Sequence, residues 1–333
     1  MQAYIRAQWE KRGLWAWLLS PLSIVVCLLA RLKRLAYQRG WAARSKLQVP
    51  LIVVGNLSVG GSGKTPLVAW LATQLLARGY RPGILCRGYR GSAEHWPQTV
   101  HPDSDPRKVG DEAVLLSMLT GCPVAAGPNR FAAGRQLLDQ STCDLLISDD
   151  GFQHLKLARD IDILVYDNSR DRPLGNGWCI PSGPLREPAS AARAADLHVF
   201  HGGEDAPDGY KMQLQTGEIY ALGDRRPAQL ERLRKTPLHA VAGIGQPERF
   251  FRSLRELDLD IIEHVFDDHH GYRSGDLQFE DEFDLITTEK DAIKLAGMSV
   301  GRTVWVLPVV AVLPDSFIDA LLAIPGPIYP EHD

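Results

Sequence analysis

The residues with the sharpest chemical signature lie between Gly55 and Thr65, in the run Gly-Asn-Leu-Ser-Val-Gly-Gly-Ser-Gly-Lys-Thr. Glycines at 60, 61 and 63 let backbone N–H groups turn inward around phosphate oxygens. Lys64 is placed to reach the β and γ phosphates of a nucleotide, and the Thr65 hydroxyl to hold Mg²⁺. The candidate nucleotide-binding set is Asn56, Ser58, Val59, Gly60, Gly61, Ser62, Gly63, Lys64 and Thr65. The run departs from the strict G-x4-G-K-[ST] spacing, which puts its first glycine at Ser58; the Gly60-Gly61 pair can supply the tight turn instead. Its surroundings agree with a phosphate loop. Pro50 to Val54 is a short apolar run rich in β-branched residues, the mark of a buried parallel strand. Pro66 to Leu76 has helical periodicity, with Gly79 suited to the C-terminal cap.

A phosphate loop needs a carboxylate at the end of a neighbouring strand to hold its metal. Asp144 to Ser148 reads as that strand, and Asp149 and Asp150 follow it, where the carboxyl end of a parallel strand would present them. Either could bind Mg²⁺, directly or through water. Asp150-Gly151 also reads as a plain turn, but the loop creates the need for the acid. Asp111 and Glu112 open an apolar helix over 113–119; acids in a first turn are usually partners of the helix dipole. Asp267 to Tyr272 carries two histidines, His269 and His270. Adjacent side chains on a strand point to opposite sides, so one site rarely takes both. A solvated loop and a general base are both open here, since imidazole titrates near neutrality.

The 333 residues are 45% hydrophobic and 23% charged, with a formal net charge of −3. That length allows about two domains, and the charge gives no bulk attraction for nucleic acid. The five cysteines are odd in number, widely spaced and without a CxxC pair. This spacing argues against a disulfide framework or zinc site, fits a reducing cytosol, and predicts mostly buried small hydrophobes.

Gly13 to Ala30 is uncharged, preceded by Arg6, Lys11 and Arg12 and followed by six basic residues up to Lys46. It ends in RLKRL rather than a cleavage site, so it is not read as a removable signal. As a helix it would span ~27 Å, marginal for a hydrocarbon core of ~30 Å. Ser20 as a cap with Pro21 in the first turn predicts a second helix there, and so two short helices lying in the interface. Ala16, Ser20, Ser23, Cys27 and Ala30 form a stripe of small side chains predicted to face protein. Leu18, Leu22, Val25 and Leu29 would face lipid, and Trp15 and Trp17 suit interfacial depth. The flanking cations would add about 1 kcal/mol each against anionic headgroups.

Predicted strands at 51–54, 83–86, 144–148 and 161–166 alternate with helices, which points to a parallel α/β sheet. Residues 167–190 read as an irregular loop over the site. A second α/β pattern follows Pro227: strands at 239–242, 261–266, 285–288 and 304–307, and a helix over 247–257. The expected organisation is membrane-associated helices at 1–48, a P-loop NTPase-like parallel-sheet domain at 49–226 and a smaller α/β domain at 227–333. The smaller domain would supply His269, placing the site in the cleft and letting closure complete it.

These residues together resemble one family, tetraacyldisaccharide 4'-kinase, the lipid A 4'-kinase of Gram-negative bacteria. The matching motifs are GNLSVGGSGKTP at 55–66, CRGYRG at 86–91, VGDE at 109–112, SDDGFQH at 148–154, GNGWCIPSGPLREP at 175–188, AGIGQPERFF at 242–251, DDHHGY at 267–272 and TTEKDAIKL at 287–295. The resemblance implies transfer of the γ-phosphate of ATP to the 4'-hydroxyl of a tetraacyldisaccharide 1-phosphate. It implies ATP and Mg²⁺ at Lys64 and Thr65, an acidic magnesium site at Asp149 and Asp150, a catalytic Asp111, and His269 as its partner. Arg130, Gln153, His154, Arg186 and Glu187 fall in motifs on the substrate side. The implied partners are a membrane lipid substrate and the cytoplasmic face of the inner membrane, with no nucleic acid and no obligate protein partner. Physically, Asp111 would accept the sugar hydroxyl proton, and His269 would orient that carboxylate or receive the proton. Three rivals fit less well. A partitioning ATPase carries a signature lysine where this chain has Val59, and a GTP-driven metal chaperone needs an NKxD motif that is missing. A soluble small-molecule kinase would not need the N-terminal apolar segment.

Overall fold

The computed structural model describes residues 9–325 except 11, 170–171 and 204–205. Arg6 and Lys11 of the N-terminal basic flank therefore lie outside the described residues.

Two twisted sheets organise the chain. The larger has nine strands, β1 (Leu51–Gly55), β2 (Pro82–Cys86), β3 (Gln98–Val100), β4 (Val124–Ala126), β5 (Leu145–Asp149), β6 (Ile161–Asp167), β7 (Leu197–His201), β8 (Tyr210–Thr216) and β14 (Val309–Val312). Their order is β14-β8-β7-β6-β1-β5-β2-β4-β3, parallel except for the two outermost pairings. The smaller sheet orders β11 (Ile261–Val265), β10 (Leu238–Ala242), β12 (Leu285–Thr288), β13 (Val304–Leu307) and β9 (Tyr220–Ala221), antiparallel only at β9. Strand β1 sits centrally and is buried along its whole length, as its continuous β-branched run requires.

Helix α3 (Lys64–Ala77) packs on the larger sheet through Leu67, Leu71 and Leu75, against Ile52, Val54, Ile84 and Ile147. Each such fully buried side chain contributes roughly 1.5–3 kcal/mol. The smaller sheet closes its core with Phe250, Phe251 and Leu254 of α8 (Pro247–Glu256). The two units exchange segments at their junctions. β14 and α10 (Asp315–Ala323) return to the larger layer, where Phe317, Ile318 and Leu321 are buried. β9, before residue 227, joins the smaller sheet. These short edge strands carry little periodicity, which is why the sequence did not mark them.

The apolar N-terminal run forms α1 (Leu14–Leu18) and the start of α2 (Ser20–Gln38), broken at Leu19 beside the predicted Ser20-Pro21; the second helix is not short, because its 19 residues continue through the basic segment after Ala30. Ser20 is not the cap, however; Leu19 occupies that position, and the Ser20 hydroxyl donates to Trp17 O at 2.7 Å. Ala16 and Ser23 of the small stripe are buried against protein, while Leu18, Leu22, Val25 and Leu29 are each more than half exposed. Among the described residues no helix is long and apolar enough to cross a membrane.

One expectation about cysteine is corrected. Cys27 and Cys179 are joined in a disulfide across 152 residues. The small stripe of α2 packs on the 174–188 loop, where the Ser23 hydroxyl donates to Cys179 O at 2.7 Å, and this contact brings the two sulfurs together. Spacing along the chain carries no trace of it. Cys86, Cys122 and Cys143 are free and buried.

Candidate functional site

The carboxyl ends of the larger sheet's central strands and the facing loops of the smaller sheet enclose a cleft of about 1140 Å³. The glycine-rich loop lies at its floor, between β1 and α3. Gly63 precedes α3 with φ +82°, and a Cβ there would lie 2.9 Å from Met212 Cε, so only glycine fits without adjustment. Gly60, Gly61, Ser62, Gly63, Lys64 and Thr65 line the cleft, as does Val59. Asn56 is fully buried, and neither polar atom of its side chain has a hydrogen-bond partner; the same is true of Ser62 Oγ. Unpaired buried polar atoms are costly, so these belong to a site built around a polar guest.

Parallel register sets Asp149 beside Val54, bringing the end of β5 to the start of the loop. Asp149 is buried, with Oδ1 unpartnered. Burial first, then the neighbouring Glu112 carboxylate, pushes its carboxyl up to about 7. Asp150 is the opposite case. It takes a left-handed φ of 49°, which turns its side chain toward Lys64 Nζ at 3.4 Å and Arg186 Nη1 at 3.0 Å. Burial raises its pKa, but Lys64 and Arg186 outweigh that and hold it below the ordinary carboxylate range. Two adjacent carboxyls thus stand in opposed electrostatic environments at the end of β5, one with an open oxygen, the donor type a divalent cation takes.

Beside α3 in the larger unit, Asp111 opens α5 (Asp111–Thr120) and meets His269 of the smaller unit. His269 Nδ1 lies 2.8 Å from Asp111 Oδ2, and both side chains are largely buried. The loop after β11 decides between the two histidines. His269 takes φ +62° and turns into the cleft, whereas His270 Nε2 pairs with Asp276 Oδ2 at 3.0 Å. Burial raises the Asp111 pKa, yet the His269 hydrogen bond and Lys290 outweigh it and set the net direction downward.

The remaining predicted residues divide. Arg186 also contacts Gln153 Oε1, and Gln153 Nε2 donates to Asn56 O at 2.9 Å, so Asp150, Gln153 and Arg186 form one group beside the loop. Glu187 turns away to Arg34 of α2 at 2.8 Å. Arg130 does not project into the cleft; it is buried and donates to Gly127 O and Asp149 O, bracing the end of β5. His154 is pushed down to about 4, by burial first and then by Arg130, Arg159, Lys33 and Lys156.

A model of the family LpxK, Tetraacyldisaccharide-1-P 4'-kinase, matches residues 15–325. The chain belongs to this family. It is 49% identical over 305 residues to the tetraacyldisaccharide 4'-kinase of Nitrosococcus oceani, covering 90% of this chain and 88% of that one. It is 48% identical to the Alkalilimnicola ehrlichii protein of the same name, covering 88% and 87%. The crystal structure of the "apo" form of LpxK from Aquifex aeolicus in complex with ATP, at 2.2 Å resolution, superposes with a TM-score of 0.78 at 30% identity, over 92% of this chain and 98% of that one. The protein is thus a lipid A 4'-kinase.

In this kinase several residues in and around the cleft carry no sequence signal of their own. Lys290 lies 3.1 Å from His269 Nε2. Asp167 at the end of β6 holds Arg249 and Gln246 of the smaller unit at 2.7 and 3.0 Å. Arg34 stands 4.7 Å over the Phe152 ring while pairing with Glu187, tying α2 to the site. Only the TTEKD and GQPERFF motifs could have drawn attention to Lys290 and Arg249, and neither has a spacing that names its chemistry.

Proposed function

We propose that this kinase passes the γ-phosphate of ATP to the 4'-hydroxyl of a tetraacyldisaccharide 1-phosphate held at a bilayer surface, with Asp111 as general base. The carrying observation is the buried Asp111–His269 pair, 2.8 Å apart, whose His269 lines the same cleft as the glycine-rich loop. Thr65, Asp149 and Asp150 are the residues that would hold Mg²⁺, which when bound supplies neutralisation of the phosphate charge. Lys64, 3.4 Å from Asp150 Oδ1, is placed to exchange that carboxylate for phosphate oxygens. Backbone N–H groups of the loop and the start of α3 fix the phosphates. Asp111 accepts the hydroxyl proton as the sugar oxygen attacks in line, and His269 holds the carboxylate in its direction. Because His269 belongs to the smaller unit and Asp111 to the larger, the pair stands only while the two units are held together.

The lipid acceptor cannot leave the bilayer cheaply, at about 0.8 kcal/mol for each exposed CH₂. The exposed apolar face of α1 and α2 supports peripheral docking on the cytoplasmic face of the inner membrane, with the basic residues after Ala30 toward headgroups. Arg34 and Lys33, which contact Glu187 and the Gln153 carbonyl, link that helix to the site.

The test is Asp111→Asn, assayed with γ-labelled ATP and the disaccharide 1-phosphate lipid in detergent micelles. The single-turnover rate is expected to fall about 10²- to 10⁴-fold with ATP affinity held within a small factor. Loss of ATP binding with chemistry intact would remove Asp111 from the base role.

A further inference from the structure

His269 has two ring nitrogens, and only one faces Asp111. The other, Nε2, lies 3.1 Å from the Lys290 ammonium. Lys290 comes from α9 (Glu289–Leu295), whose N-terminus is built firmly. Thr288 Oγ1 accepts from Asp291 N, and buried Asp291 accepts from Gly243 N at 2.9 Å and pairs with Lys294 at 2.6 Å. Glu112 and Asp268 flank Lys290 Nζ at 3.8 and 3.5 Å. Burial lowers the Lys290 pKa, but Glu112, Asp111 and Asp268 outweigh it, so the side chain stays an ammonium at neutral pH.

An ammonium has three donors and no acceptor. Its contact with Nε2 therefore runs from lysine N–H to a ring lone pair. A neutral imidazole has one donor and one acceptor, so the ring proton must sit on Nδ1, where it donates to Asp111 Oδ2. We propose that Lys290 is a positioning residue that sets the His269 tautomer, holding Nδ1–H on Asp111 by occupying Nε2. The inference rests on Asp111 acting as the base. It also fixes what His269 does: with Nδ1 already protonated, the ring orients the carboxylate and does not receive its proton.

The surroundings show what happens without the lysine. Asp268 Oδ1 is 3.8 Å from Nε2 and buried without a hydrogen bond. The same oxygen is ion-paired with Lys290 Nζ at 3.5 Å, so loss of the ammonium leaves it to accept an Nε2 proton. Among the described residues, Tyr89 meets the ring edge-on at 5.4 Å and Arg90 donates to the Asp268 carbonyl, so neither occupies Nε2. Removing the Lys290 ammonium opens Nε2 to the ring proton, facing Asp268, and the Nε2–H tautomer leaves a lone pair toward Asp111 and no hydrogen bond to orient it.

The experiment uses full-length protein with ¹⁵N-labelled histidine rings, as parent, Lys290→Met, Lys290→Arg, His269→Asn and the His269→Asn/Lys290→Met double variant. The ring spectrum of the parent is expected to show His269 protonated at Nδ1 alone, and Lys290→Met to show proton density at Nε2. Lys290→Met should slow single turnover about 10- to 100-fold, the scale on which partners that orient a metal-ligating histidine act. Lys290→Arg, which keeps a donor, should recover part of the rate. In the His269→Asn background the same lysine change should cost no more than about twofold, because it acts through the ring. An Nε2–H tautomer in the parent overturns the proposal, and so does an equal Lys290→Met penalty in both backgrounds, which would mean direct contact with the reacting phosphate. Full activity in His269→Asn would instead bring down the Asp111–His269 pair itself. A slow His269→Asn beside a harmless Lys290→Met spares the pair and sinks only the role of Lys290.

Discussion

Asp167→Asn is the perturbation whose size the structure sets most directly. Asp167 ends β6 and is nearly buried. Its carboxylate accepts from Ser169 Oγ at 2.6 Å, Gln246 Nε2 at 3.0 Å and Arg249 Nη2 at 2.7 Å. Burial alone would raise its pKa; Ser169, Arg249 and Gln246 outweigh that and bring it down to about 2 from 3.8. A carboxyl depressed in the folded state contributes stability that is complete above its unfolded value and is lost as pH falls through the folded one. The difference corresponds to about 2 kcal/mol at neutral pH, and a one-third exposed Arg249 lowers the expectation to about 1–2 kcal/mol. The assay is urea unfolding of parent and variant from pH 8 to pH 3. The gap should be constant down to about pH 5 and narrow below about pH 4, in step with protonation of the parent. A gap that stays flat to pH 3, or widens on acidification, would refute an ionic origin and leave only shape or hydrogen bonding. Because the pair joins β6 to α8, the same variant tests how tightly the smaller unit is held over the cleft.

Gly55→Ala should destabilise the protein by about 1–3 kcal/mol, because its Cβ would meet Phe152 N at 2.9 Å and backbone cannot step aside; thermal melts read this, and a parent-like melt contradicts the packing. Gly61→Ala, with nothing within 4 Å of the added Cβ, is the matched control and should stay within about 0.5 kcal/mol. Leu18→Asp with Leu22→Asp, both on the exposed face of the N-terminal helices, should leave the melt unchanged and abolish flotation with anionic vesicles. Undiminished flotation would show that this face does not carry membrane docking.

The contrast between sequence and structure follows the range of the interactions. The glycine-rich loop was legible because its chemistry needs contiguous residues, and a β-branched run before it and a helical period after it are local signals. Asp149 and Asp150 were legible for the same reason, as the end of a neighbouring apolar strand. The break at Ser20-Pro21 was also local, although the capping detail was not, because Ser20 found Trp17 O instead.

Everything that depends on the path of the chain was left to the tertiary structure. Asp111 and His269 are 158 residues apart, and a single left-handed residue decides that His269, not His270, enters the cleft. Cys27 and Cys179 meet because a stripe of small residues lets α2 approach the 174–188 loop. Arg130, which only its motif set on the substrate side, is buried and braces the end of β5, since charge type does not say which way a side chain points. Periodicity reports the face an element buries. It does not report which distant element covers that face, and that second choice set the neighbours of every acid and base in the cleft.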